Sequence, residues 1–116
     1  HEKPDDFVIA TDETHTVRDF LKEAFSLLDL NYESFVETND RYKRPAEVPA
    51  LLGDSSKAKK ILGWNPKVKF KELTKMMLAA DLKEKFKEKG LLAQHEFNIN
   101  DDDFYLNKAK EILKNE

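Results

Sequence analysis

The sequence contains no cysteine, so this chain can form neither a disulfide framework nor a thiolate metal site. That absence is typical of proteins of the reducing cytosol. It also contains no apolar run of membrane-spanning length and no stretch with the form of a signal peptide. From these absences we expect a soluble cytoplasmic protein with no membrane partner.

Glycine is scarce as well, with only Gly53, Gly63 and Gly90, each ten or more residues from the next. A dinucleotide-binding fold needs a cluster of glycines where the backbone closes on the pyrophosphate. We therefore expect no dinucleotide cofactor to bind this chain alone in the usual way.

Neither sign of charge dominates the sequence. Its 20 basic and 23 acidic residues are mixed along the chain and give a net charge of −3. No sustained basic face is present to follow a nucleic-acid backbone, so we expect no nucleic-acid partner. The 116 residues, of which 40% are apolar, are enough for one small domain with a modest core.

Two segments contain residue types found in catalytic or metal sites, but neither has the full pattern. His15 has no nucleophile, acid partner or metal-ligand spacing around it, and is more typical of a hydrogen-bonded histidine at the start of a helix. The polar run that begins at Asn98 has Asp103 and Ala109 where a calcium loop needs glycine and a bidentate glutamate. We therefore predict no catalytic residue and no metal site.

The hydrophobic pattern predicts short strands alternating with helices. Residues Phe7 to Ala10 are predicted to form a buried strand, and Tyr32 to Glu37 a second one. Alternation of this kind is typical of an α/β layer rather than a helical bundle. We therefore predict an α/β fold with short strands and three to four helices, lacking the Rossmann glycine motif.

The helices have recognisable beginnings and ends. Thr16 and Asp19 resemble a capping box, after which an amphipathic helix is predicted to run to about Leu30. Asp54 is predicted to cap a short helix that Gly63 ends. A third helix is predicted from about Phe70 to Lys89, with Lys69 an unusual N-cap, and a fourth near the C-terminus behind an acidic cap. The predicted apolar face of this fourth helix consists of Tyr105, Ala109, Ile112 and Leu113.

Arg44 and Glu47 are the residues best suited to bind a ligand. The guanidinium of Arg44 offers a planar fork of donors that suits a diphosphate, and the carboxylate of Glu47 accepts hydrogen bonds as a ribose diol requires. Pro45 fixes its own φ and favours an extended Arg44. The same spacing is also typical of a surface ion pair beside a turn, so the pattern alone leaves both interpretations open.

Four segments occur in a characteristic order: IAT at residues 9–11, ETHTVRDF at 13–20, RPAEV at 44–48 and GDSSKAKKILGW at 53–64. With this combination, residues 7–82 resemble the C-terminal part of GDP-mannose 4,6-dehydratases, which belong to the extended short-chain dehydrogenase/reductases. The resemblance implies that Arg44 contacts the nucleotide diphosphate and that Glu47 contacts the ribose.

The resemblance also implies an activity for the intact enzyme, a carbon–oxygen lyase that converts GDP-mannose to GDP-4-keto-6-deoxymannose and water with bound NADP. The family's catalytic Tyr-x-x-x-Lys pattern is missing from this chain, because the positions four after its tyrosines hold other residues. We therefore expect the isolated chain to be inactive. Those positions are Val36, Ala46 and Ala109.

The resemblance stops at Gly90. We therefore divide the chain into a substrate-binding region, residues 1–89, and a polar extension with a short helix, residues 90–116. The partners implied are GDP-mannose or a related nucleotide sugar and a missing N-terminal dinucleotide-binding domain, and a homo-oligomer is compatible with the resemblance. Two alternatives stay open: part of another nucleotide-sugar epimerase, dehydratase or reductase, and a stand-alone, non-catalytic binding module.

One departure from the family pattern has a structural consequence. Asp12 stands where relatives usually have glycine. The turn must therefore either keep φ below zero or place Asp12 in the left-handed conformation, which aspartate tolerates better than most residues.

Overall fold

The computed structural model describes residues 1–46 and 50–116. Within these ranges the regular structure is helical. The α-helices are α1 (Val17–Ser26), α2 (Ser56–Leu62), α3 (Phe70–Glu88) and α4 (Asp102–Lys114), with short 3-10 helices at Tyr32–Ser34, Asp40–Tyr42 and Gln94–Asn98. No helix in the described ranges is both long enough and apolar enough to cross a membrane.

The predicted α/β fold is wrong, since the described residues contain no strand or sheet. A strand exists only through hydrogen bonds to a neighbouring strand, and the apolar run at Phe7 to Ala10 has no such partner in the described part of the chain. Val8 and Ile9 are accordingly 55% and 59% exposed instead of buried. The local apolar pattern predicted a strand, but a strand forms only where a neighbouring strand is available for hydrogen bonding.

The second predicted strand, Tyr32 to Glu37, instead begins with a 3-10 helix. The side chain of Asn31 accepts a hydrogen bond from the Glu33 amide at 3.2 Å, and the Phe35 amide donates to the Tyr32 carbonyl at 3.0 Å. Asparagine side chains compete in this way with extended structure by closing a local turn. The sequence prediction gave too little weight to this turn-forming residue.

Helix α1 begins as predicted. The Asp19 amide donates to the Thr16 hydroxyl and the Thr16 amide donates to the Asp19 carboxylate, both at 3.0 Å, which completes the capping box. The helix ends at Ser26 rather than near Leu30. Asp29, with a φ of 58°, takes the left-handed conformation that ends helices, so the chain turns earlier than its apolar period indicated.

The next two helices also follow the sequence prediction closely. Helix α2 ends as predicted, with Gly63 at its C-cap and a φ of 65° there. Its N-cap is Ser55 rather than the predicted Asp54, and the Asp54 carboxylate instead accepts a hydrogen bond from the Ser56 amide at 2.9 Å. Helix α3 spans Phe70–Glu88, and Lys69 before it provides no side-chain acceptor for the first-turn amides.

The core lies between α3 and α4. Phe86 of α3 is buried together with Tyr105 and Ala109 of α4. The Tyr105 hydroxyl donates toward the carbonyl oxygens of Glu96 and Ile99, each 2.9 Å away. The polar extension therefore packs on α3 through α4. Partly buried residues around this core are Leu28, Leu82, Leu92, Ile99, Phe104 and Ile112.

The start and the apolar face of α4 largely match expectation. The Asp101 carboxylate accepts a hydrogen bond from the Asp103 amide at 3.1 Å, so the acidic run caps the helix as predicted. Leu113 was predicted on the buried face but is 37% exposed, and Leu106 is buried instead.

Candidate functional site

Arg44 lies on the surface, directly after the 3-10 helix Asp40–Tyr42. This short helix is closed by local contacts: the Lys43 amide donates to the Asp40 carbonyl at 3.1 Å, and the Lys43 ammonium lies 2.7 Å from the Asp40 carboxylate. The Lys43 backbone is then extended, with φ −73° and ψ 135°. The chain thus enters Arg44 from a locally fixed turn, with its side chain exposed to solvent.

Glu47, the second predicted site residue, lies outside the described residues. Its predicted contact with a ribose, and its geometry relative to Arg44, therefore stay predictions. The sequence motif RPAEV accordingly has a structural description only for its first three residues.

Three cationic side chains occur within residues 41–44, next to this candidate site. Arg41 lies over the ring of Tyr42, 5.7 Å from its centroid, and Lys43 pairs with Asp40. Exposed contacts of this type contribute little to stability, so they are readily exchanged for a ligand. The segment therefore concentrates positive charge where an anion is expected.

Asp12 joins the N-terminal segment to the start of α2. It adopts the left-handed conformation, with a φ of 59°, so the second of the two alternatives for this turn is the one observed. Its carboxylate accepts hydrogen bonds from the backbone amide and the hydroxyl of Ser55, both at 2.8 Å, and pairs with the Lys59 ammonium. Ser55 is fully buried, so the junction excludes solvent at its centre.

The electrostatics of this junction favour an ionised aspartate. The hydrogen bond from Lys59, followed by those from the Ser55 amide and hydroxyl, lowers the pKa of Asp12 from 3.8 to about 2. A charged carboxylate held by a cation and two neutral donors is suited to fixing structure. Sequence reasoning noted Asp12 as a departure from glycine but missed these contacts, and the serine at an N-cap position 43 residues later was the available signal.

A second contact reinforces the same junction. Gly53 packs so closely against Ala10 that a Cβ added to it would lie 2.4 Å from the Ala10 Cβ. Two non-bonded carbon atoms do not approach to this distance, so glycine is required here for steric reasons. Gly53 and Ser55 together anchor the chain to residues 10–12 shortly after the RPAEV segment.

His15 contributes to a different contact. Its ring is stacked on that of Phe70, with centroids 3.8 Å apart and planes 11° from parallel, and its Nε2 atom lies 3.4 Å from the Glu13 carboxylate. Phe70 is the first residue of α3. His15 therefore connects the start of α1 to the start of α3, in agreement with the structural interpretation of this histidine at a helix start.

The three glycines have separate local roles. Gly53 is needed for its contact with Ala10, while Gly63 and Gly90 have φ values of 65° and 67° beside the ends of α2 and α3. Each glycine therefore has a steric or backbone requirement of its own. Across residues 1–46 and 50–116, no group of three or more histidine, aspartate or glutamate side chains could hold a metal ion.

Comparison with known proteins agrees with the sequence motifs. The family model described as GDP-mannose 4,6 dehydratase matches residues 1–77. The Arabidopsis thaliana proteins GDP-mannose 4,6 dehydratase 2 and 1 are 54% and 53% identical to the chain over 91 and 90 residues, which is 78% of this chain in both cases. GDP-mannose 4,6-dehydratase of Yersinia enterocolitica is 36% identical over 125 residues and covers 84% of this chain.

These relatives are all named as nucleotide-sugar dehydratases, which is the class that the RPAEV and GDSSKAKKILGW segments indicated. The chain belongs to the GDP-mannose 4,6-dehydratase family. It spans about a quarter of the length of the two plant relatives, since the matches cover 24% and 25% of those proteins, and 33% of the bacterial one. The predicted resemblance is therefore confirmed.

Proposed function

We propose that this chain acts as part of a GDP-mannose 4,6-dehydratase, in which it binds the nucleotide of the substrate. The observation that carries the proposal is the family match over residues 1–77, which contains both Arg44 and Glu47. Arg44 binds the diphosphate through its guanidinium, and Glu47 accepts hydrogen bonds from the ribose diol. The isolated chain has no catalytic residue and is inactive by itself.

The reaction of the whole enzyme is the conversion of GDP-mannose to GDP-4-keto-6-deoxymannose and water. In it the sugar is oxidised at C4, water is eliminated across C5 and C6, and hydride returns to C6. NADP supplies the hydride chemistry. Because the three glycines of this chain are ten or more residues apart in the sequence and do not match the clustered glycine motif, we assign NADP to an N-terminal dinucleotide-binding domain, which is then the main partner of this chain.

The surroundings of Arg44 support its proposed role. It is exposed, and a planar guanidinium fork can donate two parallel hydrogen bonds to a phosphate. The 3-10 helix Asp40–Tyr42 precedes it, and the next residue, Pro45, restricts the backbone. Little conformational freedom is therefore lost when a ligand binds.

The Asp12 junction supports the same role from the other side of the segment. Gly53 packs on Ala10, and Ser55 is held by Asp12. The binding segment is consequently connected at one end to a capped 3-10 helix and at the other to a buried junction. Such anchoring reduces the entropy that binding must otherwise overcome.

The proposal is tested by titrating the 15N-labelled chain with GDP and following its amide resonances. Arg44→Ala is expected to weaken binding about tenfold or more, since a hydrogen bond to a charged group contributes roughly 1.5 to 3 kcal/mol. Arg44→Lys keeps the charge but loses the planar fork of donors, so its affinity for GDP should lie between those of the parent chain and Arg44→Ala. Arg18→Ala removes the same charge from the exposed surface of α1 and serves as the control. Equal binding by the Arg18 and Arg44 variants would contradict the assigned role.

A further inference from the structure

An open cleft of about 670 Å³ lies between the chain before α1 and the start of α3. Its volume is within the range of small-molecule sites, roughly 300 to 1,000 Å³. Arg44 is not among the residues that line it. Those residues are Glu13, Thr14, His15, Lys67, Lys69, Phe70, Lys71 and Glu72.

One wall of the cleft is aromatic. The ring of Phe70 covers one face of the His15 imidazole at a centroid distance of 3.8 Å. The His15 side chain nevertheless keeps 35% of its surface accessible to solvent. A planar ring of a ligand can therefore continue this stack, in the offset-parallel arrangement that aromatic groups favour.

The charged groups of the cleft are three lysines at alternate positions in the sequence, Lys67, Lys69 and Lys71, and two carboxylates, Glu13 and Glu72. Lys69 lies 3.5 Å from the Glu13 carboxylate, which is also 3.4 Å from the His15 Nε2 atom. Within residues 1–46 and 50–116, no carboxylate is in ion-pair contact with Lys67 or Lys71. Two lysines of the same cleft thus have ammonium groups available for an anion, and lysine binds phosphate well as a compact point charge.

We propose that this cleft binds a small planar aromatic molecule that carries a phosphate group. The ring stacks on His15, and the phosphate lies between the ammonium groups of Lys67 and Lys71. Neither element alone makes such a site, because surface lysines are common and the His15–Phe70 pair also packs the chain before α1 against the start of α3. The chemistry is selected by the presence, in one cleft, of an accessible ring and of two ammonium groups that pair with no carboxylate of the described residues. The site is distinct from the nucleotide contact proposed at Arg44 and does not depend on it.

The first test compares phenyl phosphate with inorganic phosphate and with phenol, each titrated into the 15N-labelled chain. Phenyl phosphate should shift the amides of His15, Phe70 and Lys71, and it should bind about three- to tenfold more tightly than inorganic phosphate, since stacking adds roughly 0.5 to 1.5 kcal/mol. Phenol should bind more weakly than phenyl phosphate because it has no charge for the lysines. Equal affinities for phenyl phosphate and inorganic phosphate, or shifts outside the cleft only, would overturn the proposal.

Substitutions then test the two lysine contacts. The double variant Lys67→Gln with Lys71→Gln should weaken phenyl phosphate binding about two- to thirtyfold, since each exposed charge contact contributes roughly 0.2 to 1 kcal/mol. Lys22→Gln, on α1, should leave it unchanged. If Lys22→Gln weakened binding as much as the double variant, the interaction would be general charge attraction and the proposal would be wrong. Failure of GDP to bind at Arg44 would leave these results unaffected.

Discussion

Asp12 accepts hydrogen bonds from both the amide and the hydroxyl of Ser55, and this pair fixes the chain on the C-terminal side of the candidate nucleotide site. The two residues are 43 positions apart in the sequence. Asp12 reaches Ser55 from a left-handed backbone conformation, which glycine adopts more readily than other residues. The side chain of Asp12 therefore anchors the turn to the start of α2.

Replacing Asp12 by asparagine should destabilise the chain at neutral pH and reduce its acid sensitivity. The folded-state pKa of Asp12 is lowered from 3.8 to about 2, so its stabilising contribution is present above about pH 4 and is lost as the pH falls toward 2. Urea unfolding measured between pH 7 and pH 2 should show a smaller loss of stability in Asp12→Asn than in the parent chain. Asp6→Asn is a suitable control, and identical pH profiles for the Asp12 variant and the parent would contradict the assignment.

Gly53→Ala should lower the free energy of unfolding by about 1 to 3 kcal/mol, because the added methyl group would overlap the Cβ of Ala10. The sharper test is the double variant with Ala10→Gly, which removes the opposing atom. Urea denaturation should show that the double variant recovers part of the loss. If the loss of stability in the double variant equalled the sum of the losses in the two single variants, the two positions would not be in contact as described.

Thr16→Ala should remove half of the capping box of α1 and lower the free energy of unfolding by about 1 kcal/mol. The Thr16 amide also lowers the pKa of the Asp19 carboxyl, and it should continue to do so in this variant because the backbone donor is retained. Thr38→Ala removes the same group from an exposed position and is the matched control. Equal unfolding midpoints for both variants in urea would argue against the cap.

Lys69→Ser should raise stability, since Lys69 is the N-cap of α3 and provides no acceptor for the first-turn amides. Serine at this position typically gains about 0.5 to 1 kcal/mol relative to a residue that cannot cap. Lys67→Ser changes the charge equally but lies before the cap and should not stabilise the chain. Thermal unfolding of the two variants side by side distinguishes capping from simple loss of a lysine.

Local signals in the sequence predicted the helices well and the strands badly. The capping box at Thr16, Gly63 at the end of α2 and the acidic cap of α4 each depend on residues only a few positions apart, and the structure confirms them. Phe7 to Ala10 needed a distant strand to pair with, and none is present in the described part of the chain. Leu106 was missed for a related reason, because burial depends on where α3 packs.

In the candidate site, too, local sequence signals were informative and contacts between distant segments were not predicted. Arg44 and Glu47 could be selected because the RPAEV motif and the family resemblance indicate a nucleotide contact, whereas geometry alone would not have distinguished them from a surface ion pair. The contact between Asp12 and Ser55 was missed because it joins distant segments through one hydroxyl and one left-handed residue, and its signal in the sequence was limited to a serine at an N-cap position. The proposed division into residues 1–89 and 90–116 stays a prediction.

The role of Arg44 as a diphosphate ligand is tested most directly by the preference of the chain for GDP over guanosine, measured by amide titration in the parent chain and in Arg44→Ala. The account predicts that the parent chain binds GDP more tightly than guanosine and that Arg44→Ala loses about tenfold or more of this preference, since the guanidinium contacts only the phosphates. An unchanged preference for GDP in Arg44→Ala would contradict the account and assign the diphosphate contact to another residue.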